Sequence, residues 1–218
     1  MAPLPSSVKR RKLVDLCALQ AARARATLVA RDMRRPPPPA IDPEALERAA
    51  LRYLERFSAP RAQVLRVLAR RVDRALRADP ELDRAAALAA AEAVVARIAA
   101  RGLLDDGRFA EARARSLAAR GRSPSAIRET LREKGVGRAE VERAMEALAE
   151  ETGGDPALAA ALALARRRRL GPWRPAAERA ARREKDLGVL ARAGFPRGLA
   201  TRIVDAPDIA ALEALREA

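Results

Sequence analysis

From residue 42 onward the apolar positions of this chain return every third or fourth residue, and nowhere do they alternate as a half-buried strand requires. Asp42 followed by Pro43 reads as a helix start, a cap and then proline in the first turn. The apolar side that follows is Leu46, Ala50, Tyr53, Leu54 and Phe57. Ser58 is the expected start of a second helix, with Val64, Leu68, Val72 and Leu76 on one stripe, broken at Asp79 and Pro80. A third runs to about Arg101 with Leu88, Ala91, Val95 and Ile98 inward, and Gly102 is placed to stop it.

This order of starts and stops recurs twice. Asp105 caps a helix bearing Phe109, Ala112, Ser116 and Leu117, which ends at Gly121. Ser123 and Pro124 open the next, with Ile127 and Leu131 inward and Gly135 as its stop. A helix over about 138–150 turns Val141, Met145 and Leu148 inward before a hinge at Gly153 and Gly154. Asp155 and Pro156 begin the last triplet, with Leu158, Leu162 and Ala165 inward and a stop at Gly171 and Pro172. A basic connection through Trp173 leads to a helix ending at Leu190 and Gly194, then to a short helix with Leu199 and Ile203. Ile209, Leu212 and Leu215 allow a further terminal turn or two.

The spacing from Leu131 to Gly135 and Val136 is repeated from Leu190 to Gly194 and Phe195. The first triplet has Val72 and Asp73 there instead, and an insertion over 73–84. A three-helix unit this small buries little alone, so stacking of neighbours is expected. The predicted fold is therefore all-α: a basic arm and proline linker over 1–41, then three three-helix repeats over 42–104, 105–152 and 153–218. Together the repeats are expected to form an elongated, curved array. The arm is expected to be mostly disordered, its poor apolar side (Leu13, Leu16, Cys17, Leu28) supporting at most a frayed helix over 8–30, and the prolines at 36–39 read as a stiff spacer.

Composition narrows the chemistry. Alanine supplies 54 residues, so the 49% apolar fraction overstates the core; Leu, Ile, Val and Phe together are 47 of 218. With no His and one Cys, Cys17, no conventional zinc, copper or haem site is expected, nor a Ser-His-Asp or Cys-His nucleophile. No cofactor is expected either. A single Cys precludes an intramolecular disulfide framework, which suits a reducing interior. No run approaches the ~20 apolar residues of a membrane span. Asp15 interrupts the short apolar stretch near the start, and Arg23 and Arg25 sit where a cleavage site needs small neutral residues, so no signal peptide is read. A cytoplasmic protein is the expectation.

The formal net charge is +15, and 40 of the 44 basic residues are Arg. Residues 1–39 hold nine basic and two acidic side chains, and residues 166–183 hold eight and one. Each block is +7, which leaves +1 for the rest. Focused positive charge concentrates a polyanion, nucleic acid first among candidates; the competing reading is solubility and codon bias. Arg166, Arg167, Arg168 and Arg169 are consecutive, so they splay around a helix and suit phosphates better than discrete salt bridges. Arg174 follows in the same block. Trp173, between prolines, reads as a loop anchor rather than a base-stacking ring.

In the middle triplet, Arg113, Arg115, Arg120, Arg122, Arg128, Arg132 and Lys134 lie in the first two helices, while Glu140, Glu142, Glu146 and Glu150 follow in the third. This arrangement offers a positive face to a partner, or else pairs Arg128 and Arg132 with Glu129, Glu133 and their neighbours on a solvated face. Asp105 and Asp106 have no third carboxylate, His or nucleophile at a useful spacing. They read as a helix start, and a metal-dependent hydrolase is the least favoured class.

Gly102, Leu103, Leu104, Asp105 and Asp106, followed by Arg108, Phe109 and Ala110, closely resemble the central signature of the RecX family, bacterial modulators of the RecA recombinase. Arg120 and Gly121, the spacing of Ile127 and Leu131, and Lys134, Gly135 and Val136 fit as well. The opening module is similar through Ala50, Leu51, Tyr53, Leu54, Ser58 and Arg61. The last is similar through the four arginines at 166–169, Leu170, Gly171, Pro172, Leu190, Gly194 and Phe195. The resemblance spans roughly residues 43–206; Val72, the insertion and the basic arm depart from it. It implies three tandem three-helix repeats in a crescent, a monomer lying in the groove of the RecA–DNA filament and inhibiting the recombinase without being an enzyme. Gly102, Leu103 and Leu104 are then a stop and a hydrophobic plug between modules. The alternative is a general nucleic-acid-binding helical protein with no recombinase contact.

Overall fold

The computed structural model describes residues 41–217, so the basic arm and its prolines lie outside the described residues. Among those residues there are ten α-helices, one 3-10 turn and no strand. The first triplet is α1 (Pro43–Leu54), α2 (Arg61–Leu76) and α3 (Arg84–Ala100). The second is α4 (Asp106–Ala119), α5 (Pro124–Glu133) and α6 (Arg138–Glu151). The third comprises α7 (Pro156–Arg168), the 3-10 turn (Gly171–Trp173), α8 (Ala176–Arg192) and α9 (Arg197–Val204), with α10 (Ile209–Glu217) after it.

Many of the helices start where a short polar side chain satisfies an orphan amide. Asp42, Asp105, Ser123 and Asp155 each accept from the backbone N–H three residues on, and Asp83 accepts from Ala85 and Ala86. Helix α2 differs. It opens at Arg61 behind Pro60, not at Ser58, and no cap side chain of its own serves it. The Asp106 carboxylate, from the first turn of α4, accepts the Arg61 N–H at 2.8 Å instead. The exchange is reciprocal in direction: Arg66 of α2 donates through Nη2 to the Lys134 and Glu133 carbonyls at the end of α5, at 2.7 and 3.2 Å. Each triplet thus satisfies a helix end of the other.

The apolar side chains gather in two cores. Leu46, Val64, Leu68, Val72, Val94 and Ile98 centre the first, which Leu104 joins from beyond α3. The second is continuous across the second and third triplets, from Ile127, Leu131 and Val141 to Leu190, Ile203 and Leu212. Alanine makes this possible: Ala110 and Ala114 of α4 are fully buried where it packs on α6, which offers Ala144. The inward stripe of α4 is therefore Ala110, Ala114, Leu117 and Ala118, while Ala112 faces solvent. In α1 only Leu46 and Ala50 of the anticipated stripe are fully inside; Phe57, past the helix end, is 50% exposed.

Left-handed turns lock the triplets together. Gly135, between α5 and α6 at φ 86°, sits on the first turn of α2, where a Cβ would overlap the Cβ of Ala62. Gly194, between α8 and α9 at φ 86°, sits likewise on the first turn of α5; a Cβ there would lie 2.6 Å from Ser123 Oγ and 3.4 Å from Ser125 Oγ. Ala62 and Ser125 occupy the same second position of their helices. The turn after the second helix of each triplet thus seats on the second helix of the triplet before. The first triplet has no described triplet before it, and its corresponding residue is Val72, buried in a helix that runs straight on to Leu76. That helix has 16 residues where α5 has 10.

Gly135→Ala is expected to destabilise the fold by about 3 kcal/mol, ~1–2 for the left-handed backbone and the rest for overlap with Ala62. Gly102→Ala, at φ 74° with nothing within 4 Å of its added methyl, should cost only the backbone share. In urea unfolding a double-mutant cycle with Ala62→Gly isolates the overlap; equal effects at 135 and 102 would refute the seating.

Candidate nucleic-acid interface

The predicted cations meet three fates. Most of those in α4 and α5 turn across to acids of α6. Arg115 pairs with Glu151 at 2.7 Å, and Arg128 and Arg132, one turn apart, share Glu142 at 3.1 and 3.9 Å. The partners are on the facing helix rather than Glu129 and Glu133 of the same one. All three pairs are partly exposed, of a kind contributing about 0–1 kcal/mol each. Arg120 and Arg122, around the α4–α5 turn, are exposed and make no ion pair among the described residues. Lys134 is the C-cap of α5, and its carbonyl receives Arg66. Arg113 is half-buried, its Nε enclosed without a hydrogen-bond partner among the described residues.

The four arginines at the end of α7 have a different fate. Arg166, Arg167 and Arg168 form its last basic turn, where the carbonyl end of the helix favours cations. Arg169 leaves the helix with φ 53° and ψ 55°, in the left-handed position that glycine fills after α4 and α5. The helix thus stops two residues before Gly171, and the Leu170 amide closes back on the Ala165 carbonyl at 2.9 Å with its side chain buried. All four arginines are exposed, and none makes an ion pair among the described residues. Their charge is uncompensated.

Arg174 has the third fate. Its guanidinium grips Asp186, Nη2 at 2.8 Å and Nε at 3.2 Å, and the other Asp186 demand is met by the Gly171 N–H at 3.0 Å. Asp186 is 2% exposed. The hydrogen bond to Asp186 holds Arg174 above its ordinary pKa, burial opposing. Arg179 donates to the carbonyls of Pro172, Arg174 and Pro207, tying the loop to the segment before α10. Arg183 makes a two-pronged pair with Asp205 at 2.8 and 2.7 Å, and this hydrogen bond holds the Asp205 carboxyl below its ordinary value. Three cations of the 166–183 block are therefore part of the scaffold. Trp173 is half-buried against the second core, as a loop anchor would be.

Asp105 and Asp106 are both engaged at helix starts, one for α4 and one for α2. Of the Leu pair before them, Leu104 alone is the plug, at 3% exposed; Leu103 is 56% exposed, because the left-handed Gly102 turns successive side chains to opposite sides. Phe109 is half-buried against the second core. Sequence reasoning passed over Asp186, although its place four residues before Leu190 on the inward stripe of α8 was a readable signal.

Residues 105–145 match the profile described as RecX, second three-helix domain. A protein named Regulatory protein RecX from Myxococcus xanthus (strain DK1622) is 41% identical over 169 residues, 77% of this chain and 88% of that one. The chain belongs to the RecX family. A second protein named Regulatory protein RecX, from Halorhodospira halophila (strain DSM 244 / SL1), is 36% identical over 70% of this chain and 81% of its own. A crystal structure of a regulatory protein RecX aligns with a TM-score of 0.47 and 19% identity, covering 74% of this chain and 72% of that chain. Among the described residues of this RecX-family chain, no helix is long and apolar enough to cross a membrane.

Asp186→Ala leaves the buried Gly171 N–H without its acceptor and the half-buried Arg174 with only Glu178 at 3.8 Å, and is expected to cost about 2 kcal/mol. A urea midpoint shift worth less than about 1 kcal/mol would show the pair dispensable. Asp205, held below its unfolded pKa, adds stability that is full above that value and lost as pH falls through the folded one. Asp205→Asn should accordingly flatten the acid side of the stability–pH profile; an unchanged profile would show that the Arg183 pair adds nothing to acid stability.

Proposed function

We propose that this chain is a non-enzymatic regulator that binds the RecA–DNA nucleoprotein filament and lowers recombinase ATPase and strand exchange. Membership of the RecX family carries the reading, since two relatives, each matched over most of its own length, are named regulatory proteins. It acts as a monomer in the cytoplasm, its repeats lying along the filament groove. The exposed arginines at 166–169, together with Arg120 and Arg122, contact phosphate. The cations of α4 and α5 paired across to α6 contact the filament by exchanging weak partners for stronger ones. Arg174 acts indirectly, by holding the loop behind the 166–169 turn through Asp186. Bridging successive protomers restrains the movement that ATP turnover needs.

The test is ATP hydrolysis by the cognate recombinase on single-stranded DNA, titrated with this protein. The expected outcome is progressive inhibition; at low ratios it indicates capping of filament ends, near saturation it indicates occlusion of the groove. No inhibition at saturation overturns the proposal. Alanine at Arg166, Arg167, Arg168 and Arg169 separates it from plain nucleic-acid binding. Free-DNA affinity should drop and its salt dependence become shallower while recombinase inhibition survives, whereas parallel loss of both favours the plain binder.

A further inference from the structure

A second basic surface lies in the first triplet, where residues 42–78 hold nine arginines against five acids. The last turn of α1 and the second half of α2 enclose an open groove of about 470 Å³. Arg52 and Arg56 rise from one side, Arg70 and Arg74 from the other. Arg70 and Arg74 are one helical turn apart, so their Cβ atoms are about 5–6 Å from each other along the groove, and Arg56 lies in the turn just past α1. All four are exposed and none has an ion pair among the described residues. Arg71 lies half-buried among them, its pKa lowered first by burial and then by Arg52 and Arg74, with Asp42 opposing. Glu55 is the one acidic lining residue. Of the surrounding acids, Glu47 pairs with Arg97 and Arg101, Asp73 with Arg84, and Glu44 with Arg48, while Asp42 faces Arg71.

The groove also holds aromatic rings. Phe57, half-exposed, packs on Tyr53 with ring centroids 5.1 Å apart, and the Arg56 guanidinium lies 5.6 Å from the Phe57 centroid. The described chain has few large exposed apolar side chains, and Phe57 stands at the edge of the arginine groove, with Leu54, Leu103 and Phe109 on its other side. A bare anion, a phosphorylated side chain or a lipid headgroup has use for the cations but none for the ring. Duplex nucleic acid keeps its base faces stacked on one another. A single strand offers both a phosphate backbone and free base faces, the combination that basic grooves with exposed aromatics accept. Arg74 stands on the stretch of α2 that exists because Val72 does not stop the helix.

We propose that the groove between α1 and α2 binds a single strand of nucleic acid, with Arg52, Arg56, Arg70 and Arg74 on successive phosphates and a base stacked on Phe57. The site is separate from the arginines at 166–169 and does not rest on any recombinase contact.

The test is fluorescence anisotropy of the full chain with labelled oligothymidylate, oligouridylate and a duplex of the same length, over a series of salt concentrations. Arg70→Ala with Arg74→Ala should reduce the slope of log affinity against log salt by about 1.4, ~0.7 for each phosphate no longer neutralised on a single strand. Phe57→Ala should weaken single-strand binding about tenfold and leave the slope unchanged, since base–aromatic stacking is uncharged; Phe57→Tyr should restore it. Binding of the deoxyribose or the ribose strand with these signatures supports the site, and the tighter of the two identifies the strand. Wild-type affinity and slope in both variants overturns the proposal. So does equal loss on the duplex with Phe57→Ala, because stacked base pairs present no face to the ring. The substituted side chains are exposed, and unchanged thermal unfolding verifies that each variant is folded.

Discussion

Backbone approaching backbone, where no side chain intervenes, is what holds this alanine-padded chain together. Gly135 seats on Ala62, and the turn at Gly121 presses on α7, where a Cβ would lie 2.5 Å from the Leu164 Cβ. Gly194 seats on the Ser123 turn. A core of alanines supplies little apolar area for each helix pair, so the remaining stabilisation has to come from close approach and dense contact. At Gly135 and Gly194, glycine at the turn and alanine or serine on the facing helix are two halves of one requirement. Where no described triplet precedes, as at Val72, the requirement lapses and a bulky residue continues the helix.

The same economy governs the helix ends. A short helix leaves as many orphan amides and carbonyls as a long one, so a fold built of many short helices carries an unusual load of them. Asp106 and Arg66 meet part of that load across the boundary between the first and second triplets. The two cores are separate there, and the boundary is polar: carboxylate to amide at one end, guanidinium to carbonyl at the other. Between the second and third triplets the boundary is apolar and the core continuous. One repeat therefore joins its neighbours by two different kinds of interface, with Gly135 and Gly194 playing the same steric part in each.

Helix starts and stops were legible because each is encoded within a few residues: Asp or Ser before proline, glycine at a left-handed turn. Registers were legible where the inward residues are large, as with Val64, Leu68, Ile127, Leu131 and Leu190. They were not where alanine lies on both sides of the helix, and the inward stripe of α4 was misplaced onto Ala112 for that reason. The start of α2 was hidden because its cap, Asp106, is 45 residues away in sequence. Leu103 and Leu104 were indistinguishable in sequence and differ only through the direction in which Gly102 turns the chain. Family resemblance was carried by the same glycines and leucines that build the fold, so it located the architecture better than it located a surface.

Arginine explains why the surface was harder to read. This chain uses one side chain for three purposes: as a half-buried strut at Arg174, as a weak, partly exposed partner at Arg128 and Arg132, and as an uncompensated charge at 166–169. Sequence counts give each the same weight. What separates them is desolvation and the direction of the nearest carboxylate, both properties of the packed structure. The 166–183 block looked like the main excess of charge, yet Arg174, Arg179 and Arg183 are tied to Asp186, backbone carbonyls and Asp205. Residues 42–78 hold nine arginines against five acids, an excess overshadowed by the two +7 blocks, and the helices sharpen it, sending Glu47 toward α3 and several arginines toward a shared groove. Like charges so gathered destabilise a compact state unless an anion joins them, and the half-exposed ring of Phe57 among them narrows which anion that is.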